Sequence, residues 1–96
     1  MSERRVLVID DEAGLRHTLL LILRDEGYQV VVAEDGEAGL RLALAETPDL
    51  VLCDVRMPRL GGLEFLERYQ EAGGTALVVM MSAYGTLDAA VAAMRK

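Results

Sequence analysis

The sequence predicts an α/β fold built of βαβ units around a parallel sheet. Short apolar runs of strand-forming residues alternate with longer stretches of helical periodicity. This alternation is typical of βαβ units, because a crossover helix returns the chain to the same end of the sheet and makes the next strand parallel. The 96 residues are enough for a single domain, which we take as residues 1–96. We predict strands at residues 6–9, 29–33, 50–53 and 77–81.

Two helices are predicted between the first three strands. The first spans residues 13–26, where leucines recur at helical spacing and Gly27 follows as a terminator. The second begins at Asp35, whose carboxylate can accept hydrogen bonds from free N–H groups at the helix start, and it ends before Pro48.

Two further helices are predicted in the second half of the chain. The third follows the pair Gly61-Gly62, which permits either positive φ or close approach of backbone, and it stops before Gly73. The fourth begins after Thr86, a good N-cap residue, and Lys96 closes it.

A net charge of −6 and a single cysteine argue against several classes of function. Nucleic acid is not expected as a direct partner, because phosphate binding needs clustered Lys and Arg. No apolar run approaches the roughly 20 residues that span a bilayer, so no membrane partner is expected. The first residues run directly into a strand and do not resemble a signal peptide. One cysteine cannot form an internal disulfide, and we expect a cytoplasmic protein.

Acidic residues stand where two of the predicted strands end. Asp54 follows the third strand, and Asp10 and Asp11 follow the first. If these strands are parallel neighbours, their carboxylates meet in the crevice where open α/β sheets bind ligands. Carboxylates packed so closely repel unless a cation neutralises them, and an oxygen-only set favours a hard cation such as Mg²⁺. Alternatively, Asp10 and Asp11 cap the first helix.

Three motifs at fixed spacing give the chain a resemblance to the receiver domain of bacterial two-component response regulators. The motifs are VIDDE at 8–12, DVRMP at 54–58 and MSA at 81–83. The stretch 82–90 is similar to receivers attached to AAA+ activators of sigma-54 promoters. The resemblance implies a flavodoxin-like, three-layer sheet whose strands lie in the order 2-1-3-4, with a fifth strand and a last helix missing.

The resemblance also assigns roles to individual residues. It implies that Asp54 is the phosphoacceptor, which attacks the phosphohistidine of a histidine kinase. Asp11 then corresponds to a direct Mg²⁺ ligand, Asp10 to its water-mediated neighbour, and the backbone carbonyl of Arg56 to a third protein oxygen. The hydroxyl of Ser82 would donate a hydrogen bond to the phosphoryl group.

One departure from the family concerns the C-terminal part. Receivers carry a fifth strand, a lysine near its end and a final helix, and Lys96 comes too early to be that lysine. We therefore expect a truncated receiver whose phosphorylation is slow or weakly coupled to a conformational change. An output domain, either an AAA+ ATPase or a DNA-binding domain for transcription regulation, would belong to a parent protein.

Two other functions would require residues that this sequence does not have. A phosphatase of the haloacid dehalogenase type needs a second Asp two residues after its nucleophile, where this chain has Arg56. A nucleotide-binding domain would have a Gly-rich turn after the first strand. We therefore expect no turnover enzyme. A phosphorylation-incompetent fragment that acts as a dimerisation or protein-interaction module remains the alternative.

The apolar pattern further predicts self-association. Residues 77–81 would form an unprotected edge strand, and the run 19–23 makes the first helix apolar nearly all round. We expect a homodimer or a domain-swapped oligomer through these surfaces. Two other residues have plain structural interpretations, since His17 is expected at the surface and Cys53 in the core.

Overall fold

The computed structural model describes residues 4–57 and 59–81, and in this part of the chain strands and helices alternate as predicted. The predicted fourth helix, Pro58 and Ser82 lie outside the described residues. All four predicted strands and the first three helices are present within one residue of their expected bounds. In chain order the elements are β1 (Arg5–Ile9), α1 (Ala13–Asp25), β2 (Gln29–Ala33), α2 (Gly36–Glu46), β3 (Leu50–Asp54), α3 (Gly62–Glu71) and β4 (Leu77–Met81).

The strands form one parallel sheet in the order β2-β1-β3-β4, which confirms the predicted topology. β1 pairs with β2 on one side and with β3 on the other, with Ile9 aligned to Cys53. α2 and α3 pack against each other on one face of this sheet, and α1 packs against β1 and β2 on the other. The register matters for function because it sets the residues after Ile9 beside those after Cys53.

The strands are continuous apolar runs in the sequence because both faces of the sheet are buried. Leu7, Cys53 and Phe65 are at most 1% exposed and belong to the core between the sheet and the helices α2 and α3. Val8 points to the other face of the sheet and is also fully buried. Strands covered on both faces need apolar residues at every position, in contrast to the alternation of a half-exposed sheet.

The helix ends follow the expected chemistry. The Oδ1 atom of Asp35 accepts a hydrogen bond from Ala38 N at 2.8 Å, which confirms its role as the N-cap of α2. α1 ends at Asp25, one residue earlier than predicted, and Gly27 follows with a φ of 94°. That left-handed conformation is open to glycine at little cost, so Gly27 does terminate the helix.

α1 carries an apolar surface that the described part of the chain leaves uncovered. No residue of α1 is fully buried, and Leu21 and Ile22 are 53% and 54% exposed. β4 pairs only with β3 among the described strands, which leaves its other side as a sheet edge there. These surfaces match the expected ones, and self-association through them stays a prediction.

Candidate functional site

Three carboxylates meet where β1 and β3 end. Asp10 and Asp11 follow β1, Asp54 is the last residue of β3, and one oxygen of each lies within 4.8 Å of the others. The three differ in exposure, since Asp10 is buried at 2%, Asp54 is half-buried and Asp11 is exposed. The predicted convergence of these side chains is therefore confirmed, and it follows directly from the β1–β3 register.

Asp10 is fixed by three hydrogen bonds. Its backbone N–H donates to the carbonyl of Ala33 at 3.1 Å, and its Oδ1 accepts from Glu12 N at 2.8 Å. Its backbone oxygen accepts a hydrogen bond from Arg16 Nη1 at 2.8 Å. The N-cap of α1 is Glu12, which makes no side-chain capping bond. Asp10 thus shapes the turn before α1, and the alternative in which the acidic pair caps the helix is wrong.

Burial and mutual repulsion act on the acidity of this cluster in the same direction. Desolvation is the main cause that raises the pKa of Asp10 above its ordinary value of 3.8. The hydrogen bond from the Glu12 N–H lowers this pKa, and the negative charge of Asp11 raises it. Desolvation likewise raises the pKa of Asp54, and the charge of Asp10 is the next largest cause. The folded protein therefore concentrates negative charge where ionisation is costly.

Within the described residues, no basic side chain forms an ion pair with the carboxylates of the cluster. The two ion pairs found there join Arg59 to Asp35 and Arg68 to Glu64. Arg16 approaches Asp10 but bonds its backbone oxygen, which leaves the carboxylate free of a salt bridge. Three carboxylates that lack an ion-pair partner suit a hard divalent cation, and Mg²⁺ fits this donor set.

The backbone after Asp54 lies against the start of α3. Gly62 N donates to the carbonyl of Val55 at 3.0 Å, and a Cβ added at Gly62 would overlap the carbonyl oxygen of Asp54. Close approach, one of the two roles predicted for the glycine pair, is confirmed at Gly62, whereas Gly61 has an ordinary φ of −75°. The N–H of Arg56 lies near the Asp54 carboxylate and partly opposes the rise of its pKa.

Cys53 and His17 take no part in this site. The Cys53 thiol is fully buried, and burial, followed by the charges of Asp54 and Asp10, raises its pKa to about 12. A thiol this hard to ionise is a poor nucleophile. His17 is exposed on α1, as expected.

Sequence reasoning missed two arginines that contact the surroundings of the site. Arg16 bonds the Asp10 backbone from the first turns of α1, and Arg59 pairs with the N-cap of α2. The sequence carries only a weak signal for the Arg16 contact, namely an arginine one turn into a helix that follows an acidic pair. The second contact joins residues 24 positions apart and leaves no local signal in the sequence.

Sequence comparisons place these features in a known family. A profile of the response regulator receiver domain matches residues 6–96. Sporulation initiation phosphotransferase F of Bacillus subtilis is 38% identical over 88 residues, which are 92% of this chain and 71% of that protein. The transcriptional regulatory protein GlrR of Escherichia coli is 38% identical over 91 residues, which cover 95% of this chain and only 20% of GlrR.

Solved structures show the same fold. The N-terminal domain of WS1339 from Wolinella succinogenes superimposes with a TM-score of 0.80 at 34% identity, covering 96% of this chain and 74% of that one. The chemotaxis protein CheY4 of Vibrio cholerae gives 0.79 at 28% identity, covering 96% and 81%. In the described part of the chain, no helix has the length and apolar character needed to cross a membrane. The chain belongs to the response regulator receiver domain family.

Proposed function

We propose that Asp54 accepts a phosphoryl group from the phosphohistidine of a histidine kinase, with Mg²⁺ held by Asp10, Asp11, Asp54 and the backbone carbonyl of Arg56. The observation that carries this proposal is the meeting of three carboxylates within 4.8 Å at the ends of β1 and β3. Membership of a family that acts in phosphorelay signalling supports the same role.

Phosphoryl transfer to Asp54 requires that its carboxylate is ionised and accessible. An oxygen of Asp54 attacks phosphorus, the P–N bond to the kinase histidine breaks, and its electron pair stays on the imidazole nitrogen. Asp54 is half-buried, so an approaching phosphohistidine can reach it. When bound, Mg²⁺ would supply the positive charge that keeps Asp54 ionised and offsets the charge of the phosphoryl oxygens.

The surrounding residues hold the reacting groups in place. Asp10 is fixed by the N–H of Glu12, and the end of β3 is held because Val55 N donates to the carbonyl of Met81 at 2.8 Å. Ser82 is the next residue after Met81 in the sequence. We assign to its hydroxyl a hydrogen bond to a phosphoryl oxygen.

The wider role follows from the same proposal. The chain would be a single receiver domain over residues 1–96 that assists its own phosphorylation without turning over as an enzyme. It would act in the cytoplasm and signal to an output domain of a parent protein, of the AAA+ or DNA-binding type that regulates transcription. Relatives such as GlrR, of which the chain spans a fifth, support such a parent.

A second candidate function is that of an interaction module that is never phosphorylated. The exposed side chains of Leu21 and Ile22 on α1 and the edge of β4 favour it. Such a module would form a homodimer or a swapped oligomer. Light scattering at high micromolar concentration tests this, and a stable monomer would exclude it.

Metal titration tests the principal proposal. Adding Mg²⁺ to the isotope-labelled chain should shift the NMR signals of Asp10, Asp11 and Asp54, and Asp11→Asn should weaken the binding. Asp25→Asn is the matched control, because Asp25 is exposed at the end of α1 and outside the cluster. Signals of the three aspartates that stay unchanged at millimolar Mg²⁺ would contradict the proposal.

A further inference from the structure

The loop between β3 and α3, described at residues 55–57 and 59–61, is closed at its base by two backbone hydrogen bonds. Val55 N donates to Met81 O at 2.8 Å, and Gly62 N donates to Val55 O at 3.0 Å. These bonds fix the two ends of the loop to β4 and to each other. They leave the outer residues of the loop to be held by other contacts.

Leu60 and Arg59 attach the outer part of this loop to the start of α2. Leu60 is 4% exposed and touches Gly36 so closely that a Cβ there would overlap the Leu60 carbonyl oxygen. Arg59 has a left-handed φ of 69°, and its Nη1 lies 3.3 Å from Oδ2 of Asp35. The loop therefore meets the start of α2 through a close contact between Leu60 and Gly36 and an ion pair between Arg59 and Asp35.

Asp35 uses both of its carboxylate oxygens in this arrangement. Oδ1 caps α2 through Ala38 N, while Oδ2 pairs with Arg59. Asp35 is 9% exposed, so its position is set by the helix, whereas the Arg59 side chain is 69% exposed and reaches in from solvent. The rigid partner is thus Asp35, and the arginine ties the loop to it.

We propose that Asp35 and Arg59 are positioning residues that set the direction of the Arg56 backbone carbonyl toward the metal site. Only three residues separate Val55 from Arg59 in the sequence. The hydrogen bond of Val55 and the ion pair of Arg59 therefore restrict Arg56 and Met57, the described residues that lie between them. The inference rests on the proposed function, in which the Arg56 carbonyl is a Mg²⁺ ligand, and neither positioning residue touches the metal itself.

Charge-changing variants separate positioning from a simple electrostatic effect. Arg59→Ala removes a positive charge, which by itself would strengthen cation binding, and Asp35→Asn removes a negative charge, which by itself would weaken it. Asn still caps α2, so the helix start is preserved. If the pair positions the carbonyl, both variants weaken Mg²⁺ binding, by about two- to fivefold given the strength of an exposed ion pair. The Mg²⁺ affinity of the double variant should be no lower than that of the single variant with the lower affinity.

The ion pair between Arg68 and Glu64 on α3 gives a matched control. It has a similar N–O distance of 3.1 Å, is exposed and joins two residues of α3 instead of tying the loop to α2. Mg²⁺ affinity would be measured by calorimetry for Arg59→Ala, Asp35→Asn, their double variant, Arg68→Ala and Glu64→Gln. The metal-free NMR spectra should show shifted Arg56 and Met57 amides in the first three variants and in neither control. Urea unfolding shows that each variant folds, and the exposed Arg59 is the safer substitution.

The outcomes distinguish a failure of this inference from a failure of the proposed function. Affinities that change in opposite directions in Arg59→Ala and Asp35→Asn, or that stay equal to wild type, would overturn the positioning role alone. A wild-type chain that fails to bind Mg²⁺ would overturn the proposed function and this inference with it. Weaker binding in both single variants, with the controls unchanged, supports the inference.

Discussion

Replacing Gly62 by alanine should destabilise the fold and disturb the carboxylate site together. A Cβ at this position would overlap the carbonyl oxygen of Asp54 and lie 3.0 Å from both Met80 Sδ and Val55 Cα. Two of these three obstacles are backbone atoms, which cannot rotate away. The start of α3 would have to move off the end of β3, where Asp54 lies.

The expected cost can be worked from these contacts. Forcing a methyl group into a packed site costs about 1–3 kcal/mol. Alanine recovers at most about 1 kcal/mol of helix propensity, and less at the first residue of a helix. We therefore expect Gly62→Ala to lower the free energy of unfolding by about 1–2 kcal/mol net.

Gly14→Ala is the matched control. Gly14 also lies in the first turn of a helix, but a Cβ there would meet only Glu12 Oε1 at 3.6 Å, which is ordinary contact. We expect this variant to be as stable as wild type or more stable by about 0.4–1 kcal/mol. Urea unfolding followed by circular dichroism measures both variants, and Mg²⁺ titration reports on the site.

The reasoning is refuted if Gly62→Ala and Gly14→Ala unfold at the same urea concentration. A Gly62→Ala protein that is destabilised but binds Mg²⁺ as wild type would refute the link to the site alone. It would mean that α3 adjusts without moving Asp54.

Three further predictions follow from the contacts and charges. Asp54→Asn should stabilise the metal-free protein at neutral pH by about 1 kcal/mol or more, since charges this close repel that strongly even in water. The raised pKa of Asp54 means that its ionised form opposes folding, so the gain should vanish as pH falls through that pKa toward 3.8. Urea unfolding at pH 7 and about pH 4 checks this, and a less stable variant at pH 7 contradicts it. Gly61→Asn should stabilise the fold by a few tenths of a kcal/mol and so raise the thermal midpoint slightly, because the N-cap of α3 has no side-chain bond. An unchanged or lower midpoint would count against it. Tyr69→Phe should cost about 1–3 kcal/mol in urea unfolding, because Ala76 N then loses the hydroxyl that it bonds at 3.0 Å. A cost near zero would mean that water replaces that hydroxyl.

Much of the fold could be predicted because its signals are local. Apolar runs that stop at glycine, proline or aspartate mark the strands, and Asp35 marks the start of α2. The small errors have physical causes. β3 includes Asp54, because its backbone pairs with Met81, and backbone pairing does not depend on an apolar side chain. α1 was predicted to end one residue later than Asp25, a usual uncertainty at helix ends.

Long-range contacts could not be predicted from the residues alone. The convergence of Asp10, Asp11 and Asp54 needed only the assumption that β1 and β3 are neighbours, and the full strand order came from the family resemblance. The ion pair of Arg59 with Asp35 depends on how the loop after β3 lies on α2, which no local pattern encodes.

The central claim is that Asp54 is the phosphoacceptor, and intact-mass measurement tests it most directly. The chain would be incubated with phosphoramidate, with Mg²⁺ or with a chelator, alongside Asp54→Asn and the control Asp25→Asn. We predict that wild type and Asp25→Asn gain one phosphoryl group in the presence of Mg²⁺ only, and that Asp54→Asn gains none. An equal gain in Asp54→Asn, or a wild-type chain that binds Mg²⁺ yet stays unmodified after long incubation, would contradict the claim.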